Sequence, residues 1–496
     1  NHALLVSDFQ AGNRVLPDYA YLVVDEAHHL HDVASNHLGV QLTADQWSSF
    51  LRRLTQKRTM WEHLLTEDEI ESLRKAQEQA DKRAQDFWRL VEDWAGQQGH
   101  RPATEHRLEI RLPQTSSEDP RQRQFLEDWQ TLRENWLLGI CQIAAQLQKL
   151  SQNDSREALF VQDLTQLLAE IQDLLGALQA VELSDSETVA WIEIQPLRSG
   201  SSSRTVLRTA PLHVGEKLQA HWQQLRAAIF TSATLSVAGD FSYIRANLGV
   251  DHFSERLQQA VYDSPFHYPE QALLCLADDV SVPSGSGGRM FTEQVSGFLI
   301  ELSNIMRGRT LVLFTSHGML RQVYDRIKQP LEHDGLLLLG QNIDGSRSRL
   351  LQIFRQEKSA VLLGSNSFWE GVDLAGDCLT CVVMVRLPFA PPGHPLYQAR
   401  MQAIEQTGGN AFQQLSLPEA VLRFKQGFGR LIRTSTDRGA VIVLDSRLTR
   451  PNRYRKAFLD SLPSPALYIG SRKEILERID RWLSPAQGSD IEAADI

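Results

Sequence analysis

The chain has 496 residues, of which 42% are hydrophobic and 23% charged, and its formal net charge is -10. That length exceeds what one hydrophobic core serves, so a soluble globular protein of two to four domains is expected. The composition excludes a disordered chain, and no apolar run reaches the roughly 18 residues that span a bilayer. The acidic balance argues against non-specific coating of nucleic acid, while leaving room for a local basic groove.

The first residue is Asn1, with neither Met nor a signal peptide, which reads as a truncation point. Residues 20–26 form a short apolar run ending in two acids, the pattern of a buried parallel strand whose carboxyl end carries chemistry. From 41 to 185 the periodicity is helical. Phe125, Trp129, Leu132, Trp136 and Ile140 recur at spacings of three and four, as do Leu164, Leu167, Ile171, Leu174 and Leu178. Each set falls on one helix face, as packing between helices requires. Strand-like runs at 189–194 and 227–232, with a serine-rich loop near residue 201 between them, mark the α/β domain resuming after a helical insert. A Gly/Ser-rich linker at 282–288 opens a second region with candidate strands at 310–314, 336–339, 360–364, 380–385 and 440–445. Each pair is separated by room for a helix, which implies a parallel sheet covered on both faces.

The four cysteines, Cys141, Cys275, Cys378 and Cys381, are too few and scattered for a disulfide framework and fit a reducing cytoplasm. Cys378 and Cys381 form a CxxC inside a buried-strand pattern. With no second ligand pair, buried thiols are expected there rather than a zinc site.

Five segments carry chemistry. Asp25 and Glu26 follow an apolar strand, where one carboxylate can hold Mg²⁺ and its neighbour can polarise water. A lone acid pair is more often solvated charge, and its place at a strand end is what singles it out. Ser232 and Thr234 follow a second apolar strand and could bond to the acidic motif. Thr315 and Ser316 close a third strand with hydroxyls suited to phosphate oxygens. Residues 364–376 hold Asn366, Glu370, Gly371 and Asp373 in a glycine-rich loop that permits close backbone approach. Gln426, Arg430 and Arg433 are spaced to share one helical face, and Arg is the side chain best suited to the charge of a transferring γ-phosphate.

The order DEAH at 25–28, SAT at 232–234, FTS at 314–316, SFWEGVD at 367–373 and QGFGRLIR at 426–433 resembles the superfamily 2 helicases of the DinG/XPD group. The stretches 1–5 and 385–395 are similar to DinG in particular. The resemblance implies two RecA-like α/β domains with an all-helical, Arch-like insertion in the first. Residues 1–40 and 186–260 would form the first domain, 41–185 the insertion and 261–496 the second domain. It further implies an ATP-dependent helicase moving 5′ to 3′ on single-stranded or forked DNA. Asp25 would bind Mg²⁺, Glu26 would activate water, and His28, Ser232 and Thr234 would couple hydrolysis to movement. Gln426, Arg430 and Arg433 would reach the nucleotide, with Glu370, Gly371 and Asp373 nearby. Thr315, Ser316 and Asn366 would contact the strand.

Two features depart from that pattern. No GxxxxGK[ST] occurs, so the phosphate-binding loop is expected upstream of Asn1. The family's iron-sulfur cysteines are likewise missing, and no cluster is expected in this chain. A non-catalytic short form that binds single strands or a partner is the alternative. An exonuclease fused upstream is a third possibility, resting on the family alone.

Overall fold

The computed structural model describes residues 1–98, 108–113, 117–151, 158–181, 187–196, 203–281, 288–369, 374, 378–450 and 454–484. Strand β1 (Tyr21–Asp25) opens the first α/β unit and turns through Glu26 into a helix at Leu30–His37. The chain then leaves for an insertion that begins with β2 (Gln41–Thr43) and a helix at Ala44–Met60. Thr43 caps that helix reciprocally with Gln46, and Thr66 does the same with Glu69 for the helix Glu67–Gln97. After β3 (Leu108–Arg111) come long helices at Pro120–Ser151 and Ala158–Ala180.

The two predicted stripes face the core of this bundle, with all their members buried except the partly buried Leu132. Phe87 packs between Trp129 and Trp136 at 4.9 and 5.3 Å between ring centroids, and Trp94 stacks on Phe125 at 4.3 Å. Offset and edge-on aromatic pairs of this kind add to simple area burial.

The insertion is not all-helical, as the sequence had suggested. β4 (Thr188–Pro196) and β5 (Ser203–Pro211) run antiparallel over nine pairs and join β2 and β3 in a four-stranded sheet of order β2-β5-β4-β3. The run at 189–194 is thus a strand, but its partners lie in the insertion rather than in the first α/β unit. Its alternation explains the choice, because Ala190 and Ile192 face the bundle core while Val189 and Trp191 face away from it. The first unit resumes with the helix Val214–Trp222 and with β6 (Ala227–Thr231), which pairs parallel with β1.

Beyond 260 the expected parallel sheet is present and larger than predicted. β7 (Ala272–Ala277), β8 (Thr310–Leu313), β9 (Leu337–Gly340), β10 (Ala360–Gly364), β11 (Cys381–Met384), β12 (Gly439–Val443) and β13 (Ala466–Gly470) form one sheet of order β13-β7-β12-β11-β8-β10-β9. All its pairings are parallel. Alternate residues of β7 serve opposite faces, with Leu273 and Cys275 packing under the helices 288–306 and 317–333 and Leu274 and Leu276 under 417–428. β7 and β13 were not foreseen. Cys275 and Cys381 are buried in strands, and burial pushes the Cys275 thiol up to about 12. Cys378 is half-buried and Cys141 exposed.

Helix Pro395–Gln406 of the second unit touches the rest of the molecule on two sides. Leu396 and Ala399 pack on Val189, Trp191, Ala210 and Leu212 of the insertion sheet, and Arg111 donates to Gln402 at 2.6 Å. Arg400 donates to Ser35 in the first unit at 2.8 Å and to the Leu212 carbonyl at 3.3 Å.

Candidate active site between the two α/β units

The site starts at the end of β1. Ala27 and Leu30 are fully buried, and anchoring them draws the chain sharply off the strand, leaving Glu26 in the left-handed region at φ 49°. A glutamate there stores about 1–3 kcal/mol of strain, a feature that clusters at functional positions. Asp25 accepts the Glu26 amide at 2.9 Å through one oxygen, leaving the other available. The Glu26 side chain is largely exposed.

The predicted partners converge on it from β6 and from the second unit. Ser232 donates to Glu26 at 3.0 Å, and its hydroxyl lies 2.7 Å from His28 Nδ1. Thr234 lies 3.3 Å from the same nitrogen, and Gln426 donates to the Thr234 hydroxyl at 3.3 Å, bridging the two units. Burial, aided by the nearby His29, lowers the His28 imidazole to about 3, so it is neutral at physiological pH. Among the described residues, His28 Nε2 and Gln426 Oε1 are buried and meet no hydrogen-bond partner. Two such orphaned atoms fit a cleft that receives polar groups from outside the protein.

Arg430 and Arg433 are not on a helix face. The helix carrying Gln426 ends at Phe428 with Gly429 as its cap, and two glycines in Gly427-Phe428-Gly429 disfavour its continuation. Burial of Leu431 and Ile432 then directs the following loop. Arg430 donates to the Trp369 carbonyl at 3.3 Å, and the Arg433 amide donates to Asp437 at 2.7 Å. Arg430 is near enough to His28 for its charge to help lower that group. Gly427 is where the helix meets Trp369, since a Cβ there would lie 3.0 Å from the indole.

Thr315 and Ser316 sit at the carboxyl end of β8, and Ser316 caps the helix His317–His333 by accepting the Met319 amide. Asn366 starts a short helix after β10. Glu370, Gly371 and Asp373 lie outside the described residues. Sequence reasoning missed Trp369 as the support of Arg430, a role carried by a backbone carbonyl that has no sequence signal.

An Mg-nucleotide needs one or two carboxylates together with its own phosphates and water, and Asp25 beside Glu26 provides that donor set. The carboxylates, hydroxyls and arginines can act on a phosphoryl group at this junction, whereas a phosphate-cradling loop is absent from the sequence.

With an insertion-bearing first unit and a seven-stranded second one, the fold is that of the XPD-type helicases. Solved structures of XPD helicase (TM-score 0.51, 16% identity, 93% of this chain and 71% of that one) and of S. tokodaii Xpd4 (TM-score 0.51, 15% identity, 93% and 80%) share it. Residues 299–465 match the helicase C-terminal domain family. The chain is 30% identical to the ATP-dependent DNA helicase YoaA of Haemophilus influenzae, over 97% of this chain and 68% of that protein. It is 31% identical to the 3′-5′ exonuclease DinG of Bacillus subtilis, over 94% of this chain and 51% of that protein. The chain belongs to the DinG/YoaA helicase family, and it spans about half the length of the Bacillus relative.

Proposed function

We propose that the chain is the motor portion of an ATP-dependent DNA helicase that tracks single-stranded DNA, 5′ to 3′ by family resemblance. The observation that carries the reading is the hydrogen-bonded path from Glu26 through Ser232 and Thr234 to Gln426, which ties the acid pair to the second unit. In this reading Asp25 holds Mg²⁺, and Glu26 accepts a proton from water. Neutral His28, with Ser232 and Thr234, senses the state of Glu26. Arg430 and Arg433 stabilise charge on the transferring phosphoryl group, and Gln426 completes the junction. Glu370, Gly371 and Asp373 are assigned to the nucleotide, and Thr315, Ser316 and Asn366 to the strand. The bound nucleotide supplies the phosphoanhydride to be cleaved.

The phosphate cradle is assigned to chain outside this sequence. β1 and β6 form a two-stranded parallel sheet in which Tyr21, Val23 and Ile229 are 67%, 66% and 58% exposed. Parallel strands are ordinarily covered on both faces, so this apolar surface and the unpaired strand edges among the described residues suit further strands. A second reading, a short form that binds strands without hydrolysis, is separated from the first by the same assay.

The test is steady-state phosphate release with excess single-stranded DNA. This chain is expected to turn over little. A version extended through the upstream gene should show DNA-stimulated hydrolysis, and Glu26→Gln should abolish it while nucleotide still binds. Robust turnover by the short chain, or by the extended Glu26→Gln variant, refutes the assignment. An extended protein with neither loop nor turnover supports the short binding form.

A further inference from the structure

The order of the large sheet reverses between β8 and β11. From β8 the chain proceeds to the edge strand β9 and returns to β10 on that same side, and from β11 it proceeds the other way to β12. The helix after β8, 317–333, packs on one face, whereas 417–428, which leads from β11 to β12, packs on the other. In open α/β sheets the crevice beyond the carboxyl ends of two such strands is where ligands bind.

That crevice contains a cleft of about 560 Å³ lined by Arg289, Thr292, Ser316, Gly318, Arg326 and Arg386, with no carboxylate in its lining. Ser316 and Gly318 belong to the first turn of the helix 317–333, whose amino end favours an anion. Arg386 is the second residue after β11. Its guanidinium lies 5.0 Å from the Phe291 ring centroid, and among the described residues its buried Nε has no partner. The nearby carboxylate, Asp445, is already gripped by Arg447 at 2.6 and 2.8 Å and accepts the Leu387 amide. Burial works against the Arg386 charge. Glu293 holds Arg289 and Arg326 side by side, at 3.2 and 3.6 Å. Three guanidiniums against one carboxylate leave this group cationic on a protein whose net charge is -10.

We propose that Arg289, Arg326 and Arg386 form a cradle for a backbone phosphate of the bound single strand, beside Ser316. The inference rests on the single-strand reading above and adds three residues to it. A charged fork with an unfilled donor, two arginines that share one glutamate and a helix amino end supply the donor set that a phosphodiester accepts. The glutamate positions the pair rather than neutralising it.

The test is fluorescence anisotropy of a labelled oligothymidylate, titrated at several salt concentrations between about 50 and 200 mM. Arg386→Ala and the double variant Arg289→Ala/Arg326→Ala should each raise Kd about tenfold, the scale of a lost charge-assisted bond, and flatten the log–log salt slope by about 0.7 per lost contact. Arg386→Lys should retain part of the affinity. Arg386 packs on Phe291 and its removal could disturb folding. Arg289 and Arg326 are 84% and 41% exposed, so the double variant is read independently of that risk. Unchanged affinity and slope in the double variant, with binding by the native chain intact, overturns the cradle and leaves the single-strand reading standing. A native chain that binds no oligonucleotide overturns both. Inorganic phosphate alone, titrated calorimetrically, separates the two sources of the anion. Phosphate binding that Arg386→Ala abolishes, alongside unaltered oligonucleotide affinity, assigns the cleft to free phosphate and refutes the strand.

Discussion

Two glycines in the insertion have opposite expected responses to the same substitution. Gly139 and Gly176 both lie inside long helices, Pro120–Ser151 and Ala158–Ala180, and replacing a helical glycine with alanine gains about 1 kcal/mol from backbone propensity. At Gly176 the new Cβ meets nothing within 4 Å, so Gly176→Ala should keep that gain. At Gly139 the Cβ would lie 2.9 Å from Ala80 Cα and 3.0 Å from Ala80 Cβ, atoms that cannot move without the helix Glu67–Gln97. Forcing an atom into such a contact costs about 1–3 kcal/mol, so Gly139→Ala should lose about 1 kcal/mol net of propensity. For a unit of this size that corresponds to about 2–4 °C in unfolding midpoint, upward for Gly176→Ala and downward for Gly139→Ala. Tryptophan fluorescence is a selective probe, because Trp47, Trp61, Trp88, Trp94, Trp129 and Trp136 of the chain's 10 tryptophans lie in this bundle. If Gly139→Ala raises the midpoint as Gly176→Ala does, the helices do not meet as closely as described, and the reasoning fails.

Two further outcomes can be checked. Burial lowers the His28 imidazole from its ordinary 6.5 to about 3, beside His2, His29, Asp32 and Arg430. Between those values the unfolded chain binds more protons than the folded one, so the contribution of neutral His28 to stability is full above pH 6.5 and declines as pH falls toward 3. Urea unfolding at successive pH values should show His28→Gln with a shallower loss through that window, and an unchanged slope would contradict it. In a thiol titration of the native protein, exposed Cys141 should react first, while Cys275 and Cys381 react only on unfolding, as burial raises both thiols. Fast labelling of either buried thiol in the folded state would be the contrary result.

What could be read from the sequence was local periodicity. The stripes from Phe125 to Ile140 and from Leu164 to Leu178 emerged as core because a 3.6-residue repeat is written within one segment. The same holds for the five apolar runs of the second unit that became β8 to β12. Pairing is not local, and this is why the run at 189–194 reads as part of the first α/β unit: its partner β5 is near in sequence, but the unit both belong to is defined by β2 and β3, strands of three and four residues with no legible alternation. Arg430 and Arg433 have helical spacing, yet the glycines before them end the helix. His28, Ser232, Thr234 and Gln426 could be nominated by motif order, but the meeting of His28 with Ser232 and of Thr234 with Gln426, across 204 and 192 residues, required the fold. Arg289, Arg326 and Arg386 come from three separate segments and share no spacing at all.

The helix Pro395–Gln406 gives the two α/β units a common mechanical ground with the insertion. Because Trp191 and Arg111 of the insertion sheet and Ser35 of the first unit all bear on this one element of the second, a change in angle between the units cannot leave the insertion where it was. With those contacts kept, the insertion would move as a crank arm. Its helix Pro120–Ser151, 32 residues long, extends about 48 Å at 1.5 Å per residue. A turn of about 10° across such an element carries one end about 8 Å relative to the other, more than a nucleotide's rise along a DNA strand.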